Sequence, residues 1–254
     1  MKELQNKVAV ITGAGRGLGK AFALRFAEEG AKLLLPDISL ERSEKTAQEI
    51  RAKGGEATAM LVDISDEKST LNMAEKVMQL YRRVDILLNN AAWSSGVEFS
   101  NWDTLKVEDW DRMFAINVRG TWLSCKAIGP LMVKQHKGKI INIVSNTIKS
   151  AGAQGILHYV CSKGAVYTLT QCLARTLGQE GINVNAIAPG MTATEANLTR
   201  PGYLQMSENI VAMQSIKKRE EPEDLVGTAV YLASDSSNMV TGQCIFADGG
   251  LVIC

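Results

Sequence analysis

Short apolar runs alternate with longer stretches of helical periodicity along the whole of this 254-residue chain. The apolar runs fall at 7–12, 32–36, 56–61, 84–88, 138–144, 182–187 and 243–247. Helical patterns between them cover 17–29, 40–53, 67–81, 107–135, 157–179 and 223–233. A run such as Lys139-Ile140-Ile141-Asn142-Ile143-Val144 is nearly continuous in apolar character. A parallel sheet covered on both faces requires that pattern. Right-handed β-α crossovers then predict an α/β fold with a doubly wound parallel seven-stranded sheet. No linker, repeat or low-complexity segment divides the chain, so residues 1–254 read as a single domain. The least regular stretch is about 190–221, which contains Pro201 and Gly202 and ends in the charged run Lys217 to Glu221. It reads as a lid on the C-terminal edge of the sheet.

Composition narrows the partners. The chain has 28 basic and 27 acidic residues, a net charge of +1, which gives no basic surface for nucleic acid. No run approaches the roughly 18 apolar residues that span a bilayer. No signal-peptide core precedes the first strand. Cys125, Cys161, Cys172, Cys244 and Cys254 are odd in number, and with only His136 and His158 no metal-binding spacing forms. The expectation is a reduced, cytoplasmic protein without a metal.

The first strand runs into Thr12-Gly13-Ala14-Gly15-Arg16-Gly17-Leu18-Gly19 and then a helix. Glycines at 13, 17 and 19 remove the Cβ atoms that would block a tight turn, a nearby pyrophosphate and helix–strand contact. The position at the first β-α unit of a Rossmann-type sheet points to a dinucleotide. Asp37 ends the second strand, eighteen residues past Gly19. A carboxylate there accepts from the ribose hydroxyls of NAD and repels a 2′-phosphate. Arg16 pulls the other way, since a guanidinium pairs with a 2′-phosphate. Asp37 decides for NAD, because its clash is direct while an arginine can swing to solvent.

Tyr159 and Lys163 stand four apart, about one helical turn, and share a helix face. An ammonium beside a phenol favours the phenolate and moves its pKa from near 10 toward neutrality. Such a phenol exchanges a proton with an alcohol or ketone.

Taken in order, Thr12 to Gly19, Asp63 in Leu61-Val62-Asp63-Ile64, Asn89-Asn90-Ala91-Ala92, Asn117-Val118-Arg119-Gly120, Ser145, Tyr159 with Lys163, Pro189-Gly190 and Asp248-Gly249-Gly250 closely resemble the classical short-chain dehydrogenase/reductase family. The resemblance covers essentially the whole chain. It implies Tyr159 as the proton carrier, Lys163 as its activator and a ligand of the nicotinamide ribose, and Ser145 as the group orienting the substrate oxygen. Asn117 would hold a water linking Lys163 to solvent. Asp63 and Ile64 would meet the adenine, and Asn89 would shape the turn under the cofactor ribose, with Leu18 and Ala91 lining the same site. Pro189 and Gly190 would open the lid, and Thr194 would bond the carboxamide.

Two departures matter. Ala92 stands where the family usually has Gly, and Ser145 lies fourteen residues before Tyr159 where thirteen is usual. Either the loop 146–158 holds an extra residue or Asn146 replaces the serine. Ser145 is preferred, since loops absorb insertions cheaply. Trp93, Asn146 and Tyr203 join Ser145 and Tyr159 as substrate-binding candidates. Ser94, Ser95, Thr147, Ile156, Met191, Leu204 and Met206 lie near them, and a partly apolar, cyclic substrate is favoured. His158 is expected to pack without a catalytic role. The expected activity is NAD-dependent interconversion of a small secondary alcohol and ketone. An NADPH-dependent 3-oxoacyl-carrier-protein reductase and an inactive nucleotide sensor are the alternatives. Apolar residues along 107–135, among them Trp110, Met113, Phe114, Trp122 and Leu123, are in keeping with the family's common homotetramer.

Overall fold

The computed structural model describes residues 2–94, 99–150 and 155–253. Its seven strands are β1 (Val8–Thr12), β2 (Lys32–Asp37), β3 (Glu56–Leu61), β4 (Ile86–Asn89), β5 (Gly138–Ile143), β6 (Ile182–Pro189) and β7 (Cys244–Ala247). They form one all-parallel sheet in the order β3-β2-β1-β4-β5-β6-β7. The winding direction reverses between β1 and β4, which opens a crevice at their C-terminal ends. Thr12 pairs with Asn89, and Asn89 with Asn142, so three strands end level beside it.

Helices cover both faces: α1 (Gly17–Glu28), α2 (Leu40–Ala52), α3 (Glu67–Tyr81), α4 (Val107–Phe114), α5 (Gly120–Gln135), α6 (Thr147–Ser150), α7 (Leu157–Leu177), α8 (Glu195–Leu198), α9 (Tyr203–Met213) and α10 (Glu223–Ala233). Successive β1 residues serve opposite sides, as the two-residue repeat of a strand dictates. Ala9 and Ile11 join Phe22 and Phe26 of α1 and Leu225 and Ala229 of α10. Val8 and Val10 join Met73 and Val77 of α3 and Ile128 and Met132 of α5. Burial of each large side chain contributes about 1.5–3 kcal/mol.

Two expectations about elements are corrected. The pattern at 107–135 is not one helix, because a π-helical turn at Ala115–Arg119 separates α4 from α5. There α5 presses on the turn after β3, and a Cβ on Gly120 would lie 2.7 Å from Ile64 Cδ1. The stretch 190–221 is not irregular, because it carries α8 and α9. Most of the apolar residues of 107–135 fill the core: Met113 and Leu123 are buried, while Trp122 is 44% exposed.

Thr12 ties β1 to the turn after β4. Its buried hydroxyl accepts from the N–H groups of Asn90 and Ala91, both at 3.1 Å. Thr12→Val keeps the shape and strands both donors. The expected loss is about 2 kcal/mol, read as a lower urea midpoint at unchanged slope.

Candidate active site

The C-terminal edge of the sheet opens into a cleft of about 1560 Å³ that runs from the glycine turn to the start of α7. Gly13 (φ +68°) and Gly17 (φ +53°) sit in the left-handed region, so the turn needs glycine there. Gly19 faces inward, away from the cleft, and a Cβ on it would meet Gly13 O at 2.0 Å. Its part is helix–strand contact, not contact with a ligand. No side chain of Arg16 caps α1, and Gly17 N–H donates to Glu195 Oε2 at 3.2 Å. An anion therefore already lies at this helix start, where amide donors and the helix dipole favour one. The glycine cradle, a helix start that already holds an anion and the Asp37 carboxylate at the end of β2 fit a dinucleotide.

Asp37 is buried at the end of β2. Its carboxylate accepts from Gly15 N–H at 2.9 Å, Ser39 N–H at 2.8 Å and Arg42 Nη2 at 3.2 Å. Arg16, Leu18 and Arg42 line the cleft beside it. Asp63 holds a tight turn, accepting from Ser65 N–H at 2.8 Å, and lines the cleft with Ile64 and Ala91. Asn89 does not reach the cleft. Its Nδ2 donates to Asn142 Oδ1 at 2.9 Å and to Cys125 Sγ at 3.3 Å inside the core. Its neighbour Asn90 lines the cleft and donates to Thr12 O and Gly13 O, both at 3.1 Å.

At the other end, α7 carries Tyr159 and Lys163 on one face. Lys163 is 5% exposed, and its Nζ donates to Ile143 O at 2.7 Å. Burial pulls its pKa down to about 8. Its Nζ lies 5.8 Å from the centre of the Tyr159 ring. The phenol of Tyr159 is hydrogen-bonded with Ser145, which lowers its pKa, but burial outweighs that bond and pushes the phenol up. Burial of the phenol therefore works against the expected shift toward neutrality. Ser145, not Asn146, meets the phenol. Asn146 turns to Asp248, its Nδ2 donating to Oδ2 at 3.0 Å, although it also lines the cleft. Residues 151–154, where an extra loop residue would fall, and Ser95 and Cys254 lie outside the described residues.

Asn117 occupies the π-helical turn and is buried behind the cleft wall. Its Oδ1 accepts from Trp93 N–H at 2.7 Å, and its Nδ2 donates to Ser162 Oγ at 3.1 Å. The side chain thus fixes Trp93, which lines the cleft, and is not directed at Lys163. The placement of Tyr203 differs from the expectation of a substrate contact. The residue is 1% exposed at the start of α9 and stands outside the cleft lining, so it packs that helix down. Leu204 is exposed, whereas Met206 does line the cleft. His158 is buried, its ring edge-on to Trp93 at 6.2 Å.

Pro189, Gly190 and Thr194 line the wall facing α7. Thr194 Cγ2 lies 3.3 Å from where a Gly17 Cβ would stand, so this segment rests on the glycine turn. Buried Glu220 anchors its base, accepting from Gly190 N–H at 3.0 Å and from the Thr192 hydroxyl. Arg42, Glu195 and Glu220 escaped the sequence reading, and Asn90 entered it only as part of the motif Asn89-Asn90-Ala91-Ala92. Arg42 left a signal of its own, five residues past Asp37 on the first turn of α2.

Residues 13–252 match the family model described as enoyl-(acyl carrier protein) reductase. The chain is 35% identical to 3-oxoacyl-[acyl-carrier-protein] reductase of Thermotoga maritima, over 98% of this chain and 99% of that protein. It is also 35% identical to the BbsD subunit of (2S)-[(R)-hydroxy(phenyl)methyl]succinyl-CoA dehydrogenase of Thauera aromatica, over 97% of each. A crystal structure from Beutenbergia cavernae, described as that of a "putative NAD(P) dependent gluconate 5-dehydrogenase" with NADP bound at low occupancy, superposes with TM-score 0.90 at 32% identity over 98% of both chains.

Burial beside Asp248 raises the Glu220 carboxyl to about 7. The folded protein keeps that proton up to about pH 7, while the unfolded chain releases it near 4.5. Stability from this group is complete below 4.5, declines as pH rises between the two values and is lost above 7. Glu220→Gln keeps acceptor and volume without the charge. Melting curves should show the variant more stable than the wild type at pH 8 and level with it at pH 4.5.

Proposed function

The chain belongs to the short-chain dehydrogenase/reductase family, and we propose that it is an NAD-dependent member interconverting a secondary alcohol and a ketone. One observation carries the reading: Ser145, Tyr159 and Lys163 meet on one wall of a cleft whose far end presents the Asp37 carboxylate. Asp37, Asp63, Ile64, Leu18 and Ala91 would hold the adenosine half. Gly13, Arg16 and Gly17 would hold the diphosphate, and Pro189, Gly190, Thr194 and Lys163 the nicotinamide half. Bound NAD supplies the two-electron acceptor for the carbinol carbon.

The protein supplies position and the proton path. Ser145 Oγ and the Tyr159 phenol converge on one point, where a substrate oxygen accepts from one and exchanges its proton with the other. In oxidation the phenolate of Tyr159 takes the hydroxyl proton. Lys163 sits one helical turn away with its charge on the Ile143 carbonyl, and adds a positive potential that favours the phenolate as the proton moves. Asn117 acts through Trp93, which it holds at the mouth. The segment 190–221, resting on the glycine turn through Thr194, serves as the lid.

Arg42 and Arg16 favour a second reading, an NADPH-dependent 3-oxoacyl-carrier-protein reductase, since both line the cleft beside Asp37. The carboxylate weighs against it, because a 2′-phosphate at about 4 Å costs on the order of 4 kcal/mol per unit charge at an effective dielectric near 20. The exposed Trp122 beside Leu169 and Cys172, on the face shared by α4, α5 and α7, supports assembly as a homotetramer, which light scattering tests.

Two variants test the reading. Tyr159→Phe should lose about 10²- to 10⁴-fold in kcat while its NADH fluorescence titration stays within error of wild type; unchanged turnover removes Tyr159 from the chemistry. Wild type should prefer NAD over NADP in kcat/KM. Asp37→Asn keeps the acceptor for Gly15 N–H and should shift that ratio toward NADP by at least about tenfold.

A further inference from the structure

We infer that the substrate carries an anionic group, a carboxylate or a phosphate, bound at the outer end of the cleft by Arg112 and Arg200. The inference rests on the alcohol–ketone reading and adds the substrate's class to it. Both arginines line the cleft, and each is held on an aromatic face. The Arg112 guanidinium lies 4.5 Å over the Trp93 ring, and that of Arg200 4.4 Å over Phe99.

Both belong to the end where the reaction would occur. Trp93 meets His158, the neighbour of Tyr159, ring to ring. Phe99 lies against Gly155, four residues before Tyr159, and Ser100 N–H donates to Gly155 O at 3.0 Å. Arg112 comes from α4 and Arg200 from the turn between α8 and α9, so the cations stand on separate elements.

Among the described residues neither arginine has a carboxylate partner. The acidic residues described in the lining are Asp37, Asp63 and Glu195. Asp37 ends β2 and Asp63 lies in the turn after β3, both at the proposed adenosine site, and Glu195 is on Gly17 N–H. Lys149 of α6 adds a third cation near Ser145. Among the described residues the lining of the proposed substrate end is therefore cationic, and Asp109, one turn before Arg112 on α4 and near enough to act on His158, makes no ion pair with either arginine. Stacking on an aromatic face leaves the edge N–H donors of a guanidinium free to grip an oxyanion bidentately. Met206, Ile210 and Met213 of α9 supply an apolar wall between, suited to a substrate with an apolar body and a charged end.

The test uses matched pairs sharing one carbinol: 3-hydroxybutyrate, 3-hydroxyhexanoate and 3-hydroxy-3-phenylpropanoate, each against its methyl ester, and 3-hydroxybutyryl-CoA for the phosphate source. Arg112→Met and Arg200→Met keep the stacked stem and drop the charge, with circular dichroism and melting checked first. In wild type the favoured acid or the CoA ester should exceed its neutral counterpart in kcat/KM by at least about tenfold. The double variant should abolish that ratio. Acid preference places the carboxylate on the substrate itself, and preference for the CoA ester alone places the anion on a carrier. An equal ratio in wild type, or one the variants leave unchanged, overturns the inference. Should no alcohol turn over with either coenzyme, the reaction assignment fails separately. Calorimetric titration of the same pairs into wild type and double variant then decides the arginines: tighter, arginine-dependent binding of the anion upholds them, and equal binding overturns them.

Discussion

The bond from Lys163 Nζ to the carbonyl of Ile143 is the contact on which the site is hung. An ammonium taken out of water needs a strong acceptor, or it gives up its proton. Here it finds the last residue of β5, one position past the end of its pairing with β4. Two residues further on, Ser145 meets Tyr159, one helical turn before Lys163. The end of β5 and the first turns of α7 are thus pinned twice, once by a charge and once by a hydroxyl. The same burial that fixes the lysine weakens its hold on its own proton, and it raises the phenol as well. The spacing of Tyr159 and Lys163 therefore specifies where the pair stands. The phenol's acidity is set by how dry the cleft wall is, which four residues of sequence do not reveal.

Period explains most of what could be read in advance. A strand buried on both sides has to be apolar along its length, so all seven were visible, with ends shifted by a residue or two. A one-residue π insertion at Ala115–Arg119 leaves the apolar count of 107–135 almost unchanged, and the pattern runs through it. Helices α8 and α9 were missed for the opposite reason. Leu198 and Leu204 are exposed, so no clean apolar stripe marks them. Asn89 and Asn90 show how far a period of two can mislead a motif. The first points into the core at Asn142 and the second over Gly13, because neighbours on a strand face opposite ways.

Within the site, the legible residues were those whose chemistry is local. The glycine turn, Asp37, and Tyr159 with Lys163 each announce themselves within a few positions. Glu220 and Glu195 do not, since Gly190 and Gly17 lie 30 and 178 residues from them. Nothing nearby in sequence distinguishes either glutamate from a solvated one. Only the fold brings Glu220 under the base of the segment 190–221 and Glu195 onto the start of α1.

That last placement couples two parts of the molecule. The N–H of Gly17 is a single donor at the positive end of a helix, and Glu195 Oε2 has it. A diphosphate bound in the glycine cradle would require the same donor, and two anions in contact there repel each other. The carboxylate and the diphosphate therefore exclude one another from that amide. Glu195 belongs to α8, and Thr194 before it rests on Gly17. Whatever takes the amide from Glu195 must turn that carboxylate away from the start of α1. The segment that carries Glu195 also carries Arg200 and α9, so one peptide N–H links the glycine turn to the element that lines the other end of the cleft.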